Sequence, residues 1–193
     1  MNFKTLFRSL LVMTSVLGGS TNLRAEPVAA PTGKFAVEVY VYSKNHQRPA
    51  GAIKQEHIDV YVNGALKYTW LTSTACDCVK KPTIGAPYRP HTPRGTFRFQ
   101  RGVEKEVSRQ FNNAAMNYAL YFGPRMPSGI AIHATYGAGV KTLGQPASAG
   151  CVRLEEIHAQ TLFNLVMKDV GLKNAQVTVS DLQDKTEMYP LTR

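Results

Sequence analysis

Cys151 is the residue of this 193-residue chain whose type and setting could do covalent chemistry. It stands in Ser148-Ala149-Gly150-Cys151-Val152-Arg153, a few residues before a helical pattern that begins near Glu155. Backbone N–H groups and the positive end of a helix dipole favour thiolate over thiol, and the thiolate is the nucleophilic form. His133 ends a strand-like run eighteen residues earlier. A chain that returns beside Cys151 brings an imidazole that can take the thiol proton and later protonate a leaving amine. Gly150 lets the backbone approach a substrate closely, and N–H groups around Cys151 could hold a developing oxyanion. On residue type and spacing alone, the commoner reading is a small core cysteine and a histidine satisfied at a strand end.

The elements that must position these groups are mostly strands. Phe35 to Tyr42 alternates, with Phe35, Val37, Val39 and Val41 on one face and Glu38, Tyr40 and Tyr42 on the other. Ile58 to Val62 and Leu66 to Thr72 follow, joined through Asn63-Gly64, a pair that favours the positive φ angles of a tight hairpin. Thr96 to Gln100, Tyr118 to Phe122, Ile130 to His133 and Ala175 to Ser180 read as further strands. Cys76 to Pro93, rich in Pro and Lys, reads as a long irregular surface loop. One helix is expected from near Glu155 to about Val170, with Ile157, Leu162, Leu165, Val166 and Val170 as its apolar stripe and Gly171 as its stop. The fold expectation is therefore mainly β with one long α-helix after the active-site loop.

Composition narrows the class. Hydrophobic residues at 44% and charged residues at 19% exclude a disordered or fibrous chain. Three cysteines are too few for a disulfide scaffold, and no stretch approaches the ~18–20 apolar residues of a membrane span. Residues 1–25 read as a secretory signal, with Lys4 and Arg8 ahead of the short apolar run Leu10 to Gly18. Cleavage is expected after Ala25, with Ala29 or Ala30 as other sites, and no cysteine lies there to carry a lipid. Removing Lys4, Arg8 and Arg24 leaves a formal charge of +7 from +10, which suits an anionic partner. Residues 26–34 read as a flexible leader, 35–180 as the domain and 181–193 as a polar tail. Nucleic acid is excluded by the export signal and by the absence of any recognition motif.

The remaining candidates are weaker. Cys76-Asp77-Cys78 reads as a local disulfide in an oxidising compartment, leaving Cys151 as the odd thiol; a thiol-redox protein is the competing use of that pair. A metal site would want more ligands than His91 nearby, so no metal or other cofactor is expected. His46, His57 and His158 have no partner that the sequence can argue for.

The spacing of His133, fourteen residues and Ser148-Ala149-Gly150-Cys151-Val152-Arg153 resembles the signature of the L,D-transpeptidase catalytic domain, the YkuD family. Thr92-Pro93-Arg94-Gly95-Thr96-Phe97 is similar to that family's TPxGxF turn and strand. Met116 to Phe122 followed by Gly129 to His133 is similar to its strand pair leading to the active site. The resemblance covers roughly Phe35 to Ser180 and departs at Ala149, where most members carry a second histidine. It implies a β-sandwich-like domain of mixed strands with the helix packed beside the active-site loop.

It further implies an exported, periplasmic cysteine enzyme acting on peptidoglycan stem peptides. Cys151 would be the nucleophile and His133 the general base and acid, with the backbone carbonyl of Ala134 orienting the imidazole and Gly150 in the oxyanion region. Arg153 is the candidate for holding a stem carboxylate, its competing role being a salt bridge to Glu155 or Glu156. Ser148 is expected to shape the loop with some substrate contact, and Tyr118 and Phe122 to line the cleft or belong to the core. Cys151 would attack the third residue of a tetrapeptide stem, release D-alanine and pass the acyl group to an amine, including a lipoprotein lysine, or to water as an L,D-carboxypeptidase. A catalytically weak wall-binding module, suggested by Ala149, is the alternative from another class. Lys80, Lys81, Arg89, Arg94, Arg98 and Arg101 would attract the anionic wall or form a solvated face.

Overall fold

A computed structural model describes residues 31–43, 55–124 and 129–181. The expected signal, His46, most of the leader and all but the first residue of the tail lie outside these.

In chain order the strands are β1 (Val37–Ser43), β2 (His57–Val62), β3 (Ala65–Leu71), β4 (Gly95–Arg98), β5 (Arg101–Val103), β6 (Val107–Ser108), β7 (Ala114–Ala115), β8 (Ala119–Tyr121), β9 (Ala131–Thr135), β10 (Val152–Glu155) and β11 (Ala175–Asp181). The helix α1 (Glu156–Asn164) continues through a wider final stretch, Leu165–Val170, and stops at Gly171, whose φ is +81°. The strands form a five-stranded sheet ordered β3-β2-β1-β11-β4 and a four-stranded sheet ordered β10-β9-β8-β5, with β6 and β7 as a separate pair. This is the mainly β architecture expected.

Local chemistry explains the first sheet. Asn63 and Gly64 take φ of +49° and +80°, so the hairpin β2–β3 turns where the Asn-Gly pair predicts. Val37, Val39 and Val41 pair with Ala175, Val177 and Val179 of parallel β11 and lie wholly inside. Both faces of β1 are covered, so Glu38 and Tyr40 are buried too, where simple alternation would expose them. Glu38 is held by Thr32 N–H, Thr32 Oγ1–H and Gly33 N–H at 3.1, 2.7 and 3.0 Å and by Gln176 Nε2 at 2.8 Å. Burial pushes its carboxyl up, but these donors outweigh it and leave the pKa below the ordinary value. The end of the expected leader is thus tied down at Thr32 and Gly33.

One apolar core joins β1, β2 and β11 to Leu120, Phe122, Ile132, Ala134, Val152 and Leu154 of the second sheet and to Ala159, Leu162, Phe163 and Val166 of the helical segment. Those helical positions repeat at three and four residues, as one buried stripe requires. Ile157 falls nearly opposite that stripe and is 58% exposed, so its predicted place in the apolar face is corrected in favour of Phe163. Among the described residues no helix is long and apolar enough to cross a membrane.

Candidate active site

The second sheet has two faces of different character. Tyr121 sits opposite Ala131, Leu120 and Val152 both opposite Ile132, and Arg153 opposite His133. Strand alternation therefore sends Leu120, Ile132, Ala134, Val152 and Leu154 to the core, and Ala119, Tyr121, Ala131, His133 and Arg153 to the other side. Cys151, one residue before β10, packs against the cluster that contains Ala119, Tyr121 and Ala131. Cys151 and His133 are thus diagonal neighbours on one face, offset by one strand spacing of about 4.8 Å and two residues along the strand.

The imidazole is held in one tautomer. His133 is buried, and its Nδ1–H donates to the Ala134 carbonyl at 2.7 Å, leaving Nε2 as the basic nitrogen. Burial pushes its pKa down to about 4; the Ala134 bond opposes this and the Arg153 charge adds to it. Burial also pushes the Cys151 thiol up, against the N–H of Ala131 and the charge of Arg153, which both favour the thiolate. The pair therefore rests as neutral thiol and neutral imidazole. An ionised sulfur at a helix mouth was the expectation, and the structure corrects it. The four residues of strand β10 stand between Cys151 and the helix start at Glu156, which puts the sulfur beyond the dipole's useful range. The S–H currently donates to Gly129 O at 3.3 Å, and that bond must open before the proton can pass to Nε2.

The segment that carries Cys151 is clamped from outside by residues 72–92. Ser73 exchanges both backbone bonds with Arg153 (3.2 and 2.9 Å), and Ser148 donates to Thr74 O and accepts from Cys76 N–H (2.8 and 3.1 Å). Thr74 is itself held by the buried Glu56 carboxylate through N–H and Oγ1–H at 2.6 and 2.7 Å. Thr92 accepts from Ala75 N–H at 3.0 Å and donates to Gly150 O at 2.7 Å, which gives the Thr of Thr92-Pro93-Arg94-Gly95 its physical role. Cys76 and Cys78 are disulfide-bonded, and Lys80 and Tyr88 pair through both backbone groups at 2.8 and 3.0 Å. The expected irregular loop is therefore an ordered strap. Its bonds run to residues some sixty positions away, which leaves no periodic trace in the sequence.

Each predicted residue now has a place. Gly150 takes φ of +123°, but its N–H donates to Ser148 Oγ at 3.1 Å, so it is not a free oxyanion donor. Ser148 is wholly buried and shapes the loop without facing a substrate. Phe122 lies in the core 5.9 Å from Phe97, and Tyr118 packs there edge-on to Phe163, so neither is a cleft residue. Phe122 shares the parity of Leu120 and falls on the face opposite His133, whereas Tyr118 precedes β8 with φ of +57° and its placement rests on its contact with Phe163. Arg153 is half-buried and pairs with neither Glu155 nor Glu156 among the described bonds.

Sequence reasoning missed two tyrosines. Tyr88 Oη donates to Ala149 O at 3.0 Å, and Tyr121 Oη donates to Glu106 Oε2 at 2.9 Å under an Arg101 guanidinium 3.6 Å from its ring centre. Burial pushes both phenols up, with the Cys151 sulfur adding to the effect; Tyr121, which also faces Glu106, reaches about 12. Parity with His133 was the signal that could have found Tyr121. Among the described residues no group of three or more His, Cys, Asp or Glu is placed to hold a metal ion.

The described hydrogen bonds of this segment use its backbone groups and Ser148 Oγ, never the Ala149 side chain. Ala149→His is accordingly expected to change the unfolding free energy by no more than about 0.5 kcal/mol, measured by denaturant or thermal unfolding.

The sequence profile of the L,D-transpeptidase catalytic domain, YkuD, matches residues 51–179. No curated protein matches the chain. Among solved structures it is similar to an L,D-transpeptidase from Xylanimonas cellulosilytica, at 19% identity and TM-score 0.54 over 80% of this chain and 65% of that one. An L,D-transpeptidase from Stackebrandtia nassauensis gives 18% and 0.52 over 86% and 63%. L,D-transpeptidase 3 from Mycobacterium tuberculosis, in complex with a faropenem-derived adduct, gives 16% and 0.51 over 76% and 61%. The chain thus spans somewhat under two thirds of the length of each of these three, and at such identities the likeness speaks to the fold.

Proposed function

The chain belongs to the L,D-transpeptidase catalytic-domain family, and from that premise we propose that it is an exported cysteine acyltransferase that acts on peptidoglycan tetrapeptide stems in the periplasm. The observation that carries this reading is the shared sheet face of Cys151 and His133, with Nδ1 fixed by Ala134 so that Nε2 is the available base.

In the first half-reaction His133 Nε2 takes the Cys151 proton as Sγ attacks the carbonyl of the third stem residue. Arg153, which already favours the thiolate, stabilises the charge that gathers there during the transfer. Collapse breaks the amide bond, the imidazolium protonates the departing D-alanine amine, and a thioester remains on Cys151. In the second half-reaction an amine attacks the thioester and gives its proton to His133; the C–S bond breaks, the acyl group leaves on the amine, and the imidazolium returns the proton to Cys151 Sγ. Water in place of the amine gives carboxypeptidation. Only a neutral thiol and a neutral base are needed to start, and both are the resting forms.

Incubation of the mature protein with disaccharide tetrapeptides, followed by mass analysis of products, tests the reading. Loss of D-alanine with cross-linked or tripeptide products, abolished by Cys151→Ala, is the expected result. Binding without turnover would instead support a silent wall-binding module.

A further inference from the structure

Among the described residues, two cations at the segment that carries Cys151 have no carboxylate partner. The strap that begins at the Cys76–Cys78 disulfide delivers Lys80 Nζ to Ala147 O at 3.0 Å, one of the three bonds an ammonium can make. From the sheet side, Arg153 projects from the same face as His133, and its backbone is joined to Ser73, whose hydroxyl in turn receives Ala147 N–H at 3.2 Å. Lys80 and Arg153 are thus both tied to Ala147 in the Cys151 segment, Lys80 directly and Arg153 through Ser73. Burial lowers the pKa of Lys80, and the Arg153 charge lowers it further, as expected of cations that feel each other.

Neighbouring cations behave differently. Arg89 pairs with Asp77 at 3.3 Å and Arg101 with Glu106 at 3.6 Å. Neither Lys80 nor Arg153 has a carboxylate partner among the described residues, although both are half-buried. Two partly desolvated like charges are unfavourable until an anion arrives between them.

We propose that Lys80 and Arg153 together form a carboxylate-binding subsite for the acyl donor, with Lys80, supplied by the strap that follows the Cys76–Cys78 disulfide, as its specificity-determining residue. The inference rests on the stem peptide being the donor. The guanidinium offers a two-pronged fork and the ammonium a point charge, a combination that selects a free carboxylate over its neutral amide. Two of a stem's carboxylates flank the scissile amide, the side-chain carboxylate of the third residue and the terminal carboxylate of the leaving D-alanine.

Three synthetic tetrapeptides distinguish these sources: one with both carboxylates free, one with the side-chain carboxyl amidated and one with the terminal carboxyl amidated. Wild-type kcat/KM is expected to fall about tenfold or more on whichever amidation removes the recognised group. Lys80→Gln is expected to lose about the same factor on the free donor, to lose little more on that amide, and Lys80→Arg to restore most of the preference. Equal loss on all three donors, or no loss on any, overturns the subsite. Equilibrium binding of the same peptides to Cys151→Ala reads the discrimination without chemistry. Discrimination there without turnover by the wild type keeps the subsite and discards the transpeptidase reading; turnover without discrimination does the reverse.

Discussion

His133→Ala lowers kcat/KM for a tetrapeptide donor by about 10³-fold, within the range that a positioned general base contributes. The size follows from the resting state. Burial holds the thiol above its ordinary pKa, so without a base the sulfur is seldom ionised at neutral pH. Raising the pH should therefore partly restore the variant, by ionising the thiol directly, while the wild type gains little.

The wild-type profile carries a second signature. Because His133 titrates at about 4 instead of 6.5, the acid limb of kcat/KM is expected near pH 4. Stability follows the same shift. Between these pH values the unfolded chain binds a proton at this site that the folded chain refuses. The contribution is complete above about pH 6.5 and is lost as pH falls toward 4, up to about 3 kcal/mol. Denaturant titrations of wild type and His133→Ala at pH 7 and 4.5 measure it, and an unchanged difference between the two proteins would show that the imidazole is not buried neutral.

Gly150→Ala is the other large effect. An added Cβ would meet Ile130 Cδ1 at 3.1 Å and the His91 carbonyl at 3.3 Å, on a backbone with φ of +123°. The isoleucine could shift, but the carbonyl belongs to the strap held by Thr92, and the φ itself is costly for any residue with a Cβ. The residue next to Gly150 is the nucleophile, so relaxing the strain moves the sulfur. A loss of about 2–4 kcal/mol in stability and at least about 10²-fold in kcat/KM is expected, read by denaturant unfolding and by steady-state rates. Wild-type rates in Gly150→Ala would show that the loop tolerates displacement and that Cys151 position is not critical.

The legible parts of this chain were those with local causes. Period-2 alternation located β1, short strand-like runs located β2, β3, β4, β8, β9 and β11, and Asn63-Gly64 announced its own turn. Cys151, His133 and Ala134 were singled out by the resemblance to the family signature, since residue type and spacing alone favoured a core cysteine and a satisfied histidine. The misreadings had physical reasons. Strand β10 is four residues long and runs directly into α1, so Glu155 and Glu156 looked like the acids of a first helical turn beside Cys151. Tyr118 and Phe122 were left open between cleft and core because alternation defines two faces without saying which is the core. Only the register of Tyr121 with Ala131 and Arg153 with His133 decides that. Lys80 and Tyr88 were illegible as site residues because what brings them to Cys151 is a pair of side-chain bonds to the carbonyls of Ala147 and Ala149.

The intact mass of the wild-type protein, taken within seconds of mixing with a tetrapeptide donor and no added amine, addresses the acyl-transfer chemistry most directly. A gain equal to the donor minus D-alanine, mapped by proteolysis to Cys151 and discharged on adding an amine, is the predicted result. D-Alanine released equally well by Cys151→Ala, or an acyl group mapped to another residue, would contradict it.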